Sequence, residues 1–146
     1  MELYFKKLDE KAIIPQRQTP QSAGVDLCAC LEEDVVIKKG EIVKIPTKLS
    51  VEPSQSDCVL LIFARSGLAV KNGITLANSV GVVDSDYRGE ICVGLVNLGT
   101  EDFIVTHGMR IAQLVVMPCA FADCIAVESL SQTQRGEGGF GSTGIK

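Results

Sequence analysis

The middle of the chain contains the apolar run Cys58-Val-Leu-Leu-Ile-Phe63, and a second run, Ile111-Ala-Gln-Leu-Val-Val-Met117, lies nearer its end. Both runs are short, rich in β-branched residues and bounded by turn residues, which is the pattern of buried β-strands. A strand in a two-layer domain normally has one polar, solvent-exposed face, whereas these two runs are apolar on both faces. We therefore expect an oligomer in which a partner subunit covers one face of these strands.

The other segments that predict strands are also short and rich in β-branched residues. Glycine turns such as Lys39-Gly40, Asn72-Gly73 and His107-Gly108 separate them, and only the segment Arg65–Lys71 favours a short helix. Short, evenly spaced strands with glycine-rich connections predict an all-β sandwich or barrel. The further predicted strands are Val35–Ile37, Ile42–Ile45, Ile91–Val96 and Phe103–Val105.

Composition limits the classes of function. The 146 residues, 46% of them hydrophobic, suffice for one domain with a packed core. There is no run of eighteen apolar residues and no basic-then-apolar leader, so we expect no membrane partner and no secretory signal. The net charge of −4 argues against nucleic acid as a partner. We place the β-domain at residues 1–128 and a polar, flexible arm at residues 129–146, because the apolar content falls from about Ser129 onward.

The six cysteines predict neither disulfides nor a zinc site. No C-x-x-C pair is present, and the single histidine, His107, is too few for a Cys/His zinc site. Cys28 and Cys30 would lie on one face of one strand, where a bridge is difficult. We expect all six to be reduced, in a cytoplasm-like compartment, with the nucleus, or a host cell if the protein is viral, as alternatives.

The last twelve residues carry a distinctive set of groups. They read Arg135-Gly-Glu-Gly-Gly-Phe-Gly-Ser-Thr-Gly-Ile-Lys146, with five glycines. Arginine offers a forked cation to phosphate, bare backbone N–H groups can wrap an anion, and a phenylalanine ring can stack on a base. This inventory indicates a flexible lid over a nucleotide, and an ordinary frayed terminus is the alternative.

Four upstream segments carry chemistry of a related kind. Ala23-Gly-Val-Asp-Leu27 presents a carboxylate after a glycine, and Ala64-Arg-Ser-Gly-Leu-Ala69 places Arg, Ser and Gly where a strand meets a helix N-terminus. The hairpin-like run Asn78-Ser-Val-Gly-Val-Val-Asp-Ser-Asp-Tyr-Arg-Gly89 holds two aspartates, a tyrosine and an arginine. Gly108-Met-Arg-Ile-Ala-Gln113 adds another arginine and an amide.

These five segments, in this order and spacing, closely resemble the five motifs of the trimeric deoxyuridine triphosphate nucleotidohydrolases, the dUTPases. The resemblance spans Ala23 to Gly144, and five motifs in order are a specific signal where any single one is weak. It implies a jelly-roll-like β-barrel or sandwich with one short helix and a flexible glycine-rich C-terminal arm. It also implies a homotrimer with three composite active sites, each completed by the arm of a neighbouring subunit.

The resemblance further implies an activity. The family uses Mg²⁺ and hydrolyses dUTP to dUMP and pyrophosphate, which limits uracil incorporation into DNA and supplies dUMP for dTMP synthesis. By position, Asp84 matches the catalytic aspartate that deprotonates the water attacking the α-phosphorus, and Asp26 matches the residue that holds Mg²⁺ through water. The positions that match substrate-binding residues are Arg65, Ser66, Gly67, Asn78, Gly81, Val83, Tyr87 and Gln113, and in the arm Arg135, Phe140, Gly141, Ser142 and Thr143.

Within this set, the resemblance assigns Arg65, Ser66, Gly67 and Gln113 to the phosphates. Asn78 and the backbone of residues 81–83 match the hairpin that reads uracil, and Tyr87 matches the ring under the deoxyribose. In the arm, Phe140 matches a ring over uracil, and Arg135, Ser142 and Thr143 match a γ-phosphate clasp.

Several questions stay open at this stage. Arg88 and Arg110 fit structural ion pairs at least as well as ligand contacts, and Asp86 fits a structural or interfacial role. dCTP deaminases share this fold and several motifs, and they would need groups that activate water towards C4 of the base. A trimeric module that binds dUTP without turnover, and a capsid-like structural jelly roll, are the remaining alternatives.

Overall fold

The computed structural model describes residues 1–139. Phe140, Gly141, Ser142 and Thr143, which we predicted to contact substrate, lie outside the described residues. Within residues 1–139 the chain forms one short helix and eleven strands, so the predicted all-β fold is confirmed. The elements are β1 (Leu3–Lys7), β2 (Val25–Cys28), β3 (Val35–Ile37), β4 (Ile42–Pro46), β5 (Leu49–Pro53), β6 (Cys58–Ala64), α1 (Ser66–Asn72), β7 (Ile74–Leu76), β8 (Gly81–Asp84), β9 (Cys92–Asn97), β10 (Phe103–Val105) and β11 (Arg110–Pro118).

Antiparallel pairing divides the strands into four sheets. The largest has the order β2-β11-β6-β8, and the second has the order β4-β9-β7. Two further pairs, β1-β5 and β10-β3, complete the pairing. Within the described residues none of the sheets closes on itself, so the fold is a jelly-roll-like sandwich rather than a closed barrel. After β11 ends at Pro118, residues 119–139 form neither helix nor strand.

The core lies between the two larger sheets because their strands alternate. In β6, Leu60 and Ile62 are buried, as is Leu114 in β11. They belong to one cluster with Val93 and Leu95 of β9 in the other sheet. A period of two along each strand delivers these residues to the same side.

The opposite side of the four-stranded sheet, called the outer face below, is apolar in its middle. Its central side chains are Val59, Leu61 and Phe63 of β6 with Val115 of β11, and all four are half-buried in the single chain. This agrees with the two-sided apolar character of the runs 58–63 and 111–117.

The cysteines are all free, as predicted. Burial raises the pKa of Cys28, Cys30, Cys58 and Cys92 above the usual thiol value. Raised thiol pKa values leave little thiolate near neutral pH, so these side chains behave as small hydrophobes.

Within the described part of the chain, the seven-residue α1 is the one helix, and no helix is long and apolar enough to cross a membrane.

Alkylation kinetics test the state of the thiols. Near neutral pH we expect iodoacetamide to modify Cys124 first, because it is exposed, and to modify Cys28, Cys30 and Cys58 only slowly, because they are buried and little ionised. Raising the pH should speed the alkylation of these three buried cysteines, because a larger fraction of each thiol is then ionised. Mass spectrometry of peptides from a time course measures the order, and rapid early labelling of Cys28 would contradict this account.

Candidate functional site

Asp26 on β2 lies between two arginines. Its Oδ1 is 2.9 Å from Nε of Arg65, and its Oδ2 is 3.1 Å from Nη1 of Arg110. The carboxylate side chain is only 14% exposed. A carboxylate with each oxygen on a different guanidinium fixes both cations in orientation.

A β-bulge brings Arg110 to this carboxylate. The register between β11 and β2 shifts between Arg110 and Ala112, so that Ile111 and Ala112 are both buried in succession. The extra residue reverses the alternation, and Arg110 emerges on the outer face that Gln113 also occupies. Without the bulge, an arginine three residues before Gln113 would point into the core.

Gln113 is held beside Asp26 by pairing and by a side-chain hydrogen bond. It lies opposite Asp26 on β2 and opposite Phe63 on β6, and its Nε2 donates to the carbonyl of Ala64 at 2.9 Å. Gly24 approaches the same amide so closely that a Cβ there would lie 3.0 Å from Oε1 of Gln113. A side chain at position 24 would therefore require the amide to shift by a few tenths of an ångström.

These groups line a cavity of about 390 Å³, called the Asp26 cavity below. Arg65 caps α1 in an extended backbone conformation, and Ser66 and Gly67 form the first turn of the helix. The first N–H groups of a helix have no partner within it. The cavity lining includes Gln18, Ser22, Gly24, Asp26, Arg65, Ser66, Gly67, Arg110 and Gln113.

A second cavity of about 340 Å³ surrounds Asp84 at the end of β8, and we call it the Asp84 cavity. A tight turn follows the strand, closed by the N–H of Tyr87 donating to the carbonyl of Asp84 at 3.1 Å. The run 78–89, which the sequence indicated to be hairpin-like, differs from that expectation in its pairing. Its strand β8 pairs with β6, and the chain then folds into this turn. The cavity lining includes Lys44, Val82, Val83, Asp84, Tyr87, Glu90 and Cys92.

Arg88 holds the turn that carries Asp84 and Tyr87. Its Nη1 donates to the carbonyls of Ser85 at 2.8 Å and Tyr87 at 3.2 Å, and its Nη2 is 3.2 Å from Oε1 of Glu52. Charge-assisted bonds to carbonyls are stronger than neutral ones, and the Glu52 contact aims the guanidinium. Arg88 and Arg110 thus both make ion pairs, the option that the sequence left open.

The structure brings some predicted residues together and separates others. Arg65, Ser66, Gly67 and Gln113 share the Asp26 cavity, whereas Val83 and Tyr87 share the Asp84 cavity. Asn78 lies in the exposed turn before β8, and Gly81 lies opposite Ile62. Arg135 donates to the carbonyl of Gly138 at 2.8 Å, within its own segment.

Sequence reasoning missed several residues of these cavities. Lys44 and Cys92 reach the Asp84 cavity from β4 and β9 of the other sheet. Gln18 and Ser22 reach the Asp26 cavity from the loop before β2. No local pattern marks these positions, because only the packing of distant strands makes them neighbours.

The two cavities lie far apart on one chain. Asp26 is opposite Gln113, and Gln113 is opposite Phe63, whereas Asp84 is opposite Val59. Four residues along β6 span about 13 Å and three strand spacings about 14 Å, which places the two aspartates roughly 20 Å apart at diagonal corners of the outer face.

The chain offers no ready-made metal cage within residues 1–139, where no three Cys, His, Asp or Glu side chains cluster suitably. Asp26 is the one carboxylate among the described residues that line its cavity, and both of its oxygens already accept from arginines. A single carboxylate of this kind fits an Mg²⁺ ion that keeps its waters and takes its direct ligands from substrate phosphates.

Known proteins match this chain in sequence over nearly its whole length. The family model for dUTPase matches residues 10–144. A deoxyuridine 5'-triphosphate nucleotidohydrolase of Desulfitobacterium hafniense is 48% identical over 145 residues, covering 99% of this chain and 96% of that protein. The corresponding protein of Treponema denticola is 50% identical over 141 residues, with 97% of each chain covered.

Solved structures agree with these sequence matches. The dUTPase of Staphylococcus bacteriophage 80alpha, solved with dUPNHPP, is 27% identical and superposes with a TM-score of 0.87 over 99% of each chain. A mutant dUTPase of S. aureus phage phi11, at 22% identity, has a TM-score of 0.80 over 90% of this chain and all of that one, and thus shares the fold. That phage enzyme coordinates a structural Mg(II) ion.

The Asp26 ion pairs should contribute measurably to stability. Replacing Asp26 by Asn leaves two arginines facing each other without the carboxylate, and we expect the free energy of unfolding to fall by about 1–3 kcal/mol, less than for a fully buried pair. Urea unfolding at fixed protein concentration measures the change.

The matched control for this experiment is Glu32→Gln. Glu32 pairs with Lys11 at 2.6 Å, but its side chain is 73% exposed, so we expect its loss to have no measurable effect. Equal stability of Asp26→Asn and the unchanged protein would contradict the structural role of this carboxylate.

Proposed function

The chain belongs to the dUTPase family, and on that premise we propose that it hydrolyses dUTP to dUMP and pyrophosphate, with Asp84 as the general base. The observation that carries the proposal is the placement of Asp26 and Asp84 at diagonal corners of one apolar sheet face. Each corner has its own cavity and its own part of the chemistry, and together with the arm they would supply the site. The triphosphate belongs at the Asp26 corner and the nucleoside at the Asp84 corner.

The separation of the corners supports a site shared between copies. Asp84 must contact a water beside the α-phosphorus, and Arg65 and Gln113 must contact phosphates of the same triphosphate. Such contacts span a few ångströms, whereas the two aspartates of one chain are roughly 20 Å apart. A second copy whose Asp84 corner meets the first copy's Asp26 corner removes this difficulty.

The apolar outer face supports a closed ring of copies. A contact between two different patches of the same chain is heterologous, and such contacts close into a ring when the rotation permits. The half-buried Val59, Leu61 and Val115 lie between the two corners and would be covered by the same assembly. Three copies would then form a homotrimer with three composite active sites, as the resemblance implies.

Asp84 activates the nucleophile, a water molecule. Water is a weak nucleophile near neutral pH, and a carboxylate positioned to accept its proton contributes roughly 10²–10⁴ in rate. The turn closed by Tyr87 and held by Arg88 fixes the end of β8, so the backbone that carries the carboxylate is held in place before substrate arrives. The water attacks the α-phosphorus, its proton passes to Asp84, and the bond to the bridging oxygen of pyrophosphate breaks.

The Asp26 cavity holds the leaving pyrophosphate. Arg65 and Arg110 are kept there by Asp26, and the first-turn N–H groups of Ser66 and Gly67, which have no partner within the helix, add donors. When bound, Mg²⁺ supplies positive charge that stabilises the negative charge developing on the leaving group. Asp26 would hold this ion through water, because its own oxygens are engaged with arginines.

The nucleoside end provides specificity. Tyr87 would pack under the deoxyribose, where a 2′-hydroxyl would lose its water without gaining a partner, at about 1–3 kcal/mol. Asn78, Gly81 and Val83 would read uracil through the backbone, which can reject cytosine by leaving buried polar groups unpaired. The arm, with Arg135, Phe140, Gly141, Ser142 and Thr143, would close over the γ-phosphate and the base in a neighbouring subunit.

This activity would give the protein a role in nucleotide metabolism. Removing dUTP limits uracil incorporation into DNA, and the dUMP formed supplies dTMP synthesis. The free thiols are consistent with a reducing, cytoplasm-like compartment.

Replacement of Asp84 by Asn tests the general base. The amide keeps the shape of the side chain but cannot accept the proton, so we expect kcat for dUTP to fall by about 10²–10⁴-fold. Binding of dUpNHpp, measured calorimetrically, should stay within a few-fold of the unchanged protein. Near-normal turnover would remove Asp84 from this role, and ammonia release from dCTP by the unchanged protein would favour deamination instead.

Mixing two inactive variants tests the composite site. Arg65→Ala disables the Asp26 corner and Asp84→Asn disables the other corner, so each variant alone should be nearly inactive. In every mixed trimer, one of the three neighbouring contacts would combine an intact Arg65 with an intact Asp84, so we expect about a third of normal activity to return.

Co-expression of the two chains with different tags, followed by two-step purification, provides the mixed oligomers. Activity that stays at the level of the separate variants would show that both corners act within one chain. Co-expressed pairs of the same variant serve as the control for tagging.

A further inference from the structure

The ring of Tyr87 folds back over its own loop and lies against Gly89. A Cβ at position 89 would be 2.5 Å from Cζ and 2.9 Å from Cε2 of Tyr87, closer than real Cβ contacts. The aromatic ring is rigid, so any side chain at position 89 would have to displace it as a unit. Glycine at this position is what allows the observed ring position.

A hydrogen bond fixes the far end of the same ring. The hydroxyl of Tyr87 donates to the backbone carbonyl of Glu90 at 3.2 Å. The residue is otherwise 46% exposed, and its ring lines the Asp84 cavity, largely uncovered by residues 1–139. Its position therefore depends mainly on Gly89 beneath it and on the Glu90 carbonyl.

The Glu90 carbonyl is anchored in turn by the β4–β5 connection. Oε1 of Glu90 accepts the backbone N–H of Lys48 at 3.0 Å, and Oε2 lies 3.7 Å from Nζ of Lys48. Lys48 has a φ of 53°, a left-handed conformation that is unfavourable for lysine, and the bond to Glu90 compensates for it.

Ile91, the residue after Glu90, also holds this backbone in place. Ile91 donates its N–H to the carbonyl of Leu49 at 2.8 Å, and its carbonyl accepts from the hydroxyl of Thr47 at 2.6 Å. Thr47, Leu49 and Ile91 are all fully or almost fully buried. The hydrogen-bond acceptor for Tyr87 is thus tied to a rigid part of the core.

We propose that Gly89 and Glu90 are positioning residues that set the discrimination between deoxyribose and ribose by fixing the ring of Tyr87. The proposal rests on the proposed function, in which that ring packs under the sugar. Gly89 leaves the space that the ring needs, and the Glu90 side chain fixes the backbone that carries the acceptor carbonyl. A displaced ring would fit deoxyribose less well and would leave room for a 2′-hydroxyl.

The first test is the ratio of kcat/KM for dUTP to kcat/KM for UTP. In Gly89→Ala we expect the ratio to fall on the order of tenfold, the size of one lost steric contact in a specificity pocket. Glu90→Ala should lower it as well, because the carbonyl is no longer anchored. Glu90→Gln should keep the ratio, since its amide oxygen can still accept from the Lys48 N–H.

Gly94→Ala is the matched control. A Cβ at position 94 would meet only Cβ of Ala77 at 3.9 Å, an ordinary contact, and the change in backbone freedom is the same. We expect its ratio to equal that of the unchanged protein. An equal fall in Gly94→Ala would mean that any glycine replacement disturbs the site, and it would overturn the proposal.

The second test reports the ring directly and needs no activity. The chain has no tryptophan and two tyrosines, so in a Tyr4→Phe background Tyr87 is the only source of tyrosine fluorescence. We expect acrylamide quenching of this signal to increase in Gly89→Ala and Glu90→Ala and to stay unchanged in Glu90→Gln and Gly94→Ala.

The two tests separate the two proposals. If the unchanged protein does not hydrolyse dUTP, the proposed function fails, and the quenching measurement still decides whether Gly89 and Glu90 fix the ring. If the protein hydrolyses dUTP and rejects UTP, an unchanged ratio or unchanged quenching in a folded Gly89→Ala or Glu90→Ala variant overturns this inference alone. Glu90→Ala keeps the test available if Gly89→Ala does not fold.

Discussion

The antiparallel register of β6 with β8 and β11 is the constraint on which the site depends. It places Val59 opposite Asp84 and Phe63 opposite Gln113, which itself lies opposite Asp26. Strand geometry alone then separates the two carboxylates by roughly 20 Å across the sheet. A single chain cannot bring them to one phosphate chain, so the proposed composite site uses a second copy because of the hydrogen bonding inside the first.

The electrostatics of the Asp26 corner follow from the same sheet. A bulge after Arg110 turns this side chain outward, where it shares one carboxylate with Arg65 from the start of α1. Two like charges would otherwise repel each other in a partly buried place, and the carboxylate between them makes their proximity stable. The corner is thus a preformed cationic cradle in an acidic protein.

The sequence predicted those parts of the fold that are encoded locally. Val35–Ile37 and Phe103–Val105 were predicted with the observed bounds, since short β-branched runs need no partner to be recognised. Leu3–Lys7 and Leu49–Pro53 were not predicted, because they carry charged residues or proline and become strands by pairing with each other. For the site, the motifs predicted residues but not their division between two corners. They gave no sign of Lys44 or Cys92, which only the packing of the two sheets brings to the Asp84 cavity.

The alternation that builds the core also limits how the site can change. Leu60 and Leu114 point inward from the same strands that direct Phe63 and Gln113 outward. A slip of one residue in either strand would exchange the two sets, exposing leucine to water and burying the amide. The outer face and the core are therefore specified by one pattern. Changes at the ends of the strands disturb this alternation least, and that is where the bulge at Arg110 and the turn after Asp84 lie.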